Sequence, residues 1–160
     1  MSFLDNHQES PTDPPRTWPS RYNAMLEALD NATLRRGRAE VDAAESTTTD
    51  AFVDLTTHGP EVTLTVGPAG MVVVLFSALI QLPGSGSERG SVSFESTGAA
   101  AESPHFRRSI RSEFNGRLNM GTHDSFHAAP GESLTVTMKY RSETGGSITF
   151  QHRRLTVLTW

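Results

Sequence analysis

The residues with the most chemical potential lie in one pentapeptide, His123-Asp124-Ser125-Phe126-His127. On a helix, imidazoles four residues apart share one face and could hold a divalent metal. Gly121 and Pro130 bracket the stretch, however, and no third ligand stands nearby in sequence. On any other backbone the same residues read as solvent-exposed polar groups of a loop. Serine, histidine and aspartate are all present, yet no nucleophile signature surrounds any serine. The run Gly84 to Gly90 lacks the lysine of a phosphate-binding loop and the glycine spacing of a dinucleotide site. It joins two strand-like segments and reads as a flexible hairpin loop. Arg107, Arg108, Arg111 and Arg117 gather around Phe106 and Phe114, a combination able to touch phosphate or an acidic glycan. Glu102 and Glu113 dilute it and favour salt bridging within or between subunits. No catalytic constellation, metal site or cofactor motif emerges, so the expectation is a non-enzymatic protein without a cofactor.

Bulk composition narrows the partners. A formal charge of -4 gives no general attraction to nucleic acid or to an anionic membrane. With no cysteine there are no disulfides and no thiolate metal sites. The longest apolar run, Met71 to Leu82, is too short to cross a bilayer as a helix. Met1 to His7 lacks the basic and then apolar pattern of a secretory signal, so synthesis in the cytoplasm and a soluble product are expected.

The elements that must position these residues fall into four segments. Residues 1–19 carry Pro11, Pro14, Pro15 and Pro19 among polar residues, which predicts an extended arm. Phe3 and Trp18 stand out there as candidate anchors for a partner surface. Residues 20–37 read as an anchoring helix, with Ser20 as its cap and Tyr22, Met25, Leu26 and Leu29 on one face. Gly37 is its expected stop, with Arg35 and Arg36 near the negative end of the helix dipole. So thin an apolar seam must dock on something, and Tyr22, Leu26 and Leu29 are the expected contacts. Residues 38–50, acidic and then threonine-rich, read as a linker.

From residue 51 to residue 160 the apolar period becomes two. Phe52 and Leu55 suggest a short first strand. Val62, Leu64 and Val66 suggest a second, and Met71 to Leu82 a strand apolar on both faces. Val92 and Phe94 mark another. Residues 97–130 are irregular, with Phe106, Ile110 and Phe114 at helical spacing. Leu134, Val136, Met138 and Tyr140 alternate, and Gly145-Gly146 predicts a tight hairpin into the last strand. There Ile148, Phe150 and His152 alternate, and beyond two arginines the phase slips to Leu155 and Val157. Such a change of face predicts a β-bulge at Arg153-Arg154. Six or seven strands without crossover helices predict a mainly β fold, an antiparallel jelly-roll-like β-sandwich with an N-terminal arm and short helix.

The closing segment Ile148-Thr-Phe-Gln-His-Arg-Arg-Leu-Thr-Val-Leu158 resembles the ending of minor tail proteins, small virion proteins of tailed phages that infect actinobacteria. The stretch 130–141, the Val-rich strand and the Pro/Trp/Arg start before a short helix fit the same plan. The resemblance implies a β-sandwich, a homotrimer, and a structural place in the virion beside tail or major capsid proteins. Minor tail protein and capsid decoration protein both remain open. Arg153, Arg154 and Trp160 are then candidate subunit contacts. The alternative is a host-recognition module binding surface glycans through loop aromatics and arginines such as Phe106 and Arg108.

Overall fold

A computed structural model describes residues 34–84, 88–113 and 116–160. The expected arm and most of the expected helix, with Phe3, Trp18, Tyr22, Leu26 and Leu29, lie outside the described residues. So does Phe114.

Two antiparallel sheets face each other. The first contains β1 (Arg35–Val41), β2 (Glu45–Thr47), β4 (Met71–Leu82), β7 (Gly116–His127) and β9 (Ile148–Thr159). Its order is β1-β9-β4-β7, and β2 pairs with the start of β9. The second contains β3 (Glu61–Thr65), β5 (Gly90–Gly98), β6 (Ile110–Ser112) and β8 (Ser133–Ser142), in the order β3-β8-β5-β6. With β1 and β2 counted as one interrupted strand, the pairs nest. First pairs with last, second with second-last, and so inward to the β5·β6 pair. This is the jelly-roll topology.

Alternation explains which side chains fill the space between the sheets. β4 sends Val72, Val74, Phe76, Ala78, Ile80 and Leu82 inward, and β8 sends Leu134, Val136, Met138 and Tyr140. β5 adds Val92 and Phe94, and β9 adds Ile148, Phe150, Leu155 and Val157. Phe94 packs edge-on to Phe76 and stacks on Phe126, with centroids 5.7 and 6.1 Å apart.

Several expectations need correction. The linker 38–50 and the helix end at 35–37 are instead β1 and β2, the strands that pair with β9. Gly37 stops no helix. A Cβ there would collide with the Val62 side chain, so this glycine lets the two sheets approach at their rim. Phe52 to Leu55 forms a single bridge, Val53 to Tyr140, and no strand. Among its described residues the irregular stretch 97–130 holds one 3-10 turn, Phe106–Arg108, and also yields β6 and the twelve-residue β7. Gly145-Gly146 makes no hairpin within a sheet: β8 and β9 lie in different sheets, and the turn carries the chain across.

The bulge in β9 is present one residue earlier than expected. Ser77 faces Arg154 and Leu79 faces Gln151, so His152 and Arg153 together oppose Ala78. His152 takes the left-handed backbone, at φ 49°, and its ring turns outward to Asp42, 3.1 Å away. This extra residue is what switches Arg153 to the inner side with Leu155 and Val157.

Candidate functional site

Three clusters of polar side chains stand out. The first surrounds Arg153, which is wholly buried. The gap between β1 and β2 lies level with the bulge, and the guanidinium fills it. It donates to Glu45 Oε2 at 2.8 Å and, over longer distances, to the carbonyls of Ala43, Thr57 and Gly59. Its carbon stands 5.3 Å from the centroid of the Tyr140 ring. The Tyr140 hydroxyl donates to Gly59 O at 2.9 Å, beside the cis Gly59–Pro60 bond. Burial pushes that hydroxyl well above the usual tyrosine range, so it stays protonated. For Glu45, burial alone would raise the carboxyl. Hydrogen bonds from the Thr57 hydroxyl and amide, with the Arg153 charge, outweigh it and hold the group below the usual carboxylate range. This cluster is a bolt that fastens the N-terminal strands to the sandwich. Arg153 therefore lies inside the domain and not on its surface, where a subunit contact was expected.

The second cluster lies on the outer side of the second sheet, near the β8–β9 turn. Phe106 is 60% exposed and stacks on His105 at 4.4 Å. It shares a small cleft of about 170 Å³ with Arg111, Arg141 and Glu143. Arg111 pairs with Glu143 at 3.0 Å and with Glu113 at 3.1 Å. Arg141 leans over the Phe52 ring at 5.6 Å, and its Nε is buried with no hydrogen-bond partner among the described residues. Arg108 is not part of this cleft. Glu102 and Asp124, the latter on β7, hold it through two ion pairs. Of the four arginines that the sequence groups together, Arg117 lies apart, on β7, donating to Gln151 at 2.9 Å.

The third cluster lies on the outer face of the first sheet. Here Ser77 sits between Gly121 on β7 and Arg154 on β9. One row away Leu75 sits between His123 and Thr156, and Arg38 faces Thr156 from β1. With a serine and a glycine side by side, the sheet surface sinks into a groove of about 450 Å³, which Arg36 also lines. Glu40 bridges Arg38 at 3.0 Å and Arg154 at 3.7 Å. Leu75 is 40% exposed. Arg154 is thus on the surface, as a contact residue must be. Trp160 is half-buried at the end of β9, its backbone packed where a Cβ on Gly67 would go.

The paired histidines do not form a metal centre. On β7, residues four apart lie about 13 Å from one another, beyond the reach of one ion. Among the described residues no group of three histidines or acids is placed to hold a metal. Elsewhere Lys139 is held between Asp54 at 2.8 Å and Glu95 at 2.7 Å on the outer side of the second sheet. Burial alone would lower its amine, but the two carboxylates outweigh this and raise it, so it is a cation and no nucleophile.

The class of protein so defined is an antiparallel β-sandwich of jelly-roll topology. No protein-family model matches the chain, and no curated protein matches it. Among solved structures it is similar to the CBM22-1 xylan-binding domain from Paenibacillus barcinonensis Xyn10C, at 14% identity over 78% of this chain and 87% of that one, with a TM-score of 0.32. It is also similar to Eiger TNF from S. frugiperda, at 11% identity over 74% and 92% of the two chains, with a TM-score of 0.35. A third is the enzymatically active domain of tailspike protein 4 of bacteriophage CBA120, at 12% identity over 78% of this chain and 19% of that one, TM-score 0.30. At such identities and scores these likenesses carry no information about activity or partners.

Proposed function

We propose that the chain is a non-enzymatic structural protein of a tailed-phage virion, a minor tail protein or capsid decoration protein that assembles as a homotrimer and displays a jelly-roll domain. The resemblance of residues 148–158 to the ending of minor tail proteins motivates the reading. The observation that carries it is the polarity of the domain. Leu34, where the described chain begins, stands beside Arg35, which pairs with Thr159 at one end of the sandwich. The end of β4, the start of β5 and the turn 143–147 meet at the other end, where Glu143 N donates to Arg89 O at 2.9 Å. The twelve residues of β4 separate the two ends by about 40 Å. A domain held by an N-terminal extension would thus present the far end outward.

The test is incorporation. A chain lacking residues 1–33 keeps β1 whole, folds, and fails to enter virions; incorporation of that chain at the normal level would refute the anchoring role. Light scattering should return a mass three times the 17.4 kDa chain. Copy number separates the two virion places, with few copies at a tail tip and hundreds on a head.

A second reading, a module that binds host glycans, draws on the Phe106 cleft. An exposed ring beside two guanidiniums and a carboxylate offers an apolar platform and paired hydrogen-bonding groups to a sugar. Glycan-array binding that is lost in Phe106→Ala and Arg141→Ala would support it, and a clean negative would count against it.

A further inference from the structure

The groove on the outer face of the first sheet belongs to neither reading. Its setting is unusual for the face of a sheet that merely meets water. The outer face of the second sheet is polar throughout its middle, with Thr63 against Thr135 and Glu95 against Thr137. The first sheet instead sets Leu75 beside a depression floored by Ser77 and Gly121. Three guanidiniums, from Arg36, Arg38 and Arg154, line the same depression. Among the described residues Glu40 neutralises only part of that charge. Half-exposed itself, it holds Arg38 and Arg154 in place, and an exposed pair of this kind is weak enough to share its arginines with a ligand.

We propose that this groove binds an anionic sugar, a pyranose carrying a carboxylate or a phosphate. The arginines supply forked donors to the anion. Leu75 packs against the C–H face of the ring. Ser77, Thr156 and His123 meet its hydroxyls. An acidic peptide fits less well. The groove opens on the face of β9, β4 and β7, which presents side chains and not main-chain N–H or C=O groups, so a peptide strand laid in it finds no ladder to join. The inference does not rest on the virion reading, and it differs from the Phe106 cleft in place and in charge.

Affinity electrophoresis of the full chain in native gels tests it. Four polymers are cast into the gels: polygalacturonate, phosphomannan, neutral dextran and polyglutamate. Retardation by polygalacturonate or by phosphomannan, and not by dextran or polyglutamate, is the expected result, and the polymer that retards identifies the anion. Arg38→Ala and Arg154→Ala should each weaken retention by about tenfold, the loss typical of a hydrogen bond to a charged group. Both side chains are half-exposed, so both variants should melt like the parent. Arg107→Ala, an exposed arginine of the 3-10 turn, should leave retention unchanged. No retardation in either anionic polysaccharide would overturn the proposal. So would retention that survives Arg154→Glu, or polyglutamate retarding as strongly as the sugars.

Discussion

Replacing Glu45 by alanine should cost the fold more than replacing Arg153 by methionine, although the guanidinium has the longer list of contacts. Glu45→Ala leaves a wholly buried cation whose remaining acceptors are carbonyls at 3.4 to 3.5 Å. Breaking a buried pair in this way costs about 3–5 kcal/mol. Arg153→Met removes the charge itself and roughly conserves volume. The Glu45 side chain, 15% exposed, keeps the Thr57 amide at 2.9 Å and hydroxyl at 2.6 Å. What is lost is the set of long carbonyl contacts and the stacking on Tyr140, about 1–2 kcal/mol together. In a domain of this size 1 kcal/mol moves Tm by about 3 °C. The alanine variant should therefore melt about 9–15 °C below the parent, and the methionine variant about 3–6 °C below it. Urea denaturation at constant slope gives the same comparison at 25 °C. If Arg153→Met is as damaging as Glu45→Ala, the bolt works through the packing of the arginine and the charge argument is wrong.

Acid should loosen the fold. Glu45 is held low as described, and Glu61 is held low chiefly by its hydrogen bond to His58 and then by that from Thr137. A carboxyl depressed on folding contributes stability above its unfolded value of 4.5, and the contribution is lost as pH falls through the folded value. Tm should hold steady above about pH 5.5 and drop below about pH 4.5, with a shallower drop in Glu45→Gln; an unchanged drop in that variant would refute the assignment. Gly67→Ala should destabilise by more than 2 kcal/mol, on the order of a serious backbone clash, because the new Cβ would lie 2.6 Å from the Trp160 backbone; a midpoint within error of the parent would contradict this. His152→Val should cost about 1–3 kcal/mol, since a β-branched residue tolerates positive φ poorly. Circular dichroism melts report both.

Some of this was legible in the residues. β4 was readable to both of its ends, because a run of Val, Leu, Phe and Ile bounded by Gly70 and Pro83 has no other economical reading. β8 followed from strict alternation, and the bulge from a slip of phase. β7 escaped because it forms the sheet's edge. Its inward positions include Met120, Thr122 and Asp124, the last of which meets Arg108 in place of an apolar neighbour, so the period of two never shows. β1 escaped for a related reason. Arg35, Arg36, Arg38 and Glu40 read as a charged helix end, while the signal lay in the small residues between them. Gly37 and Ala39 are the inward positions of a strand pressed against β3. The groove was invisible because Arg36, Arg38, Ser77, Gly121 and Arg154 come from four strands, and only the register makes them neighbours. The inward turn of Arg153 was foreseeable only in part. The slip of phase marks the place, but the choice of which arginine goes inside depends on Glu45, far away in the chain.

The nesting of the strands has a consequence for how the protein is made. β9 is the central partner of the first sheet, joined to β1 and β2 on one side and to β4 on the other. It is also the last of the described strands in chain order. Until residues 148–159 emerge, β4 has one open flank and β1 has no partner in its sheet, so the first sheet cannot assemble progressively behind the ribosome. The second sheet is less delayed, since β5 and β6 are neighbours in sequence as well as in space. Folding of the first sheet is thus bound to wait for β9, and the pairing that completes it joins segments from opposite ends of the domain, which makes for slow closure.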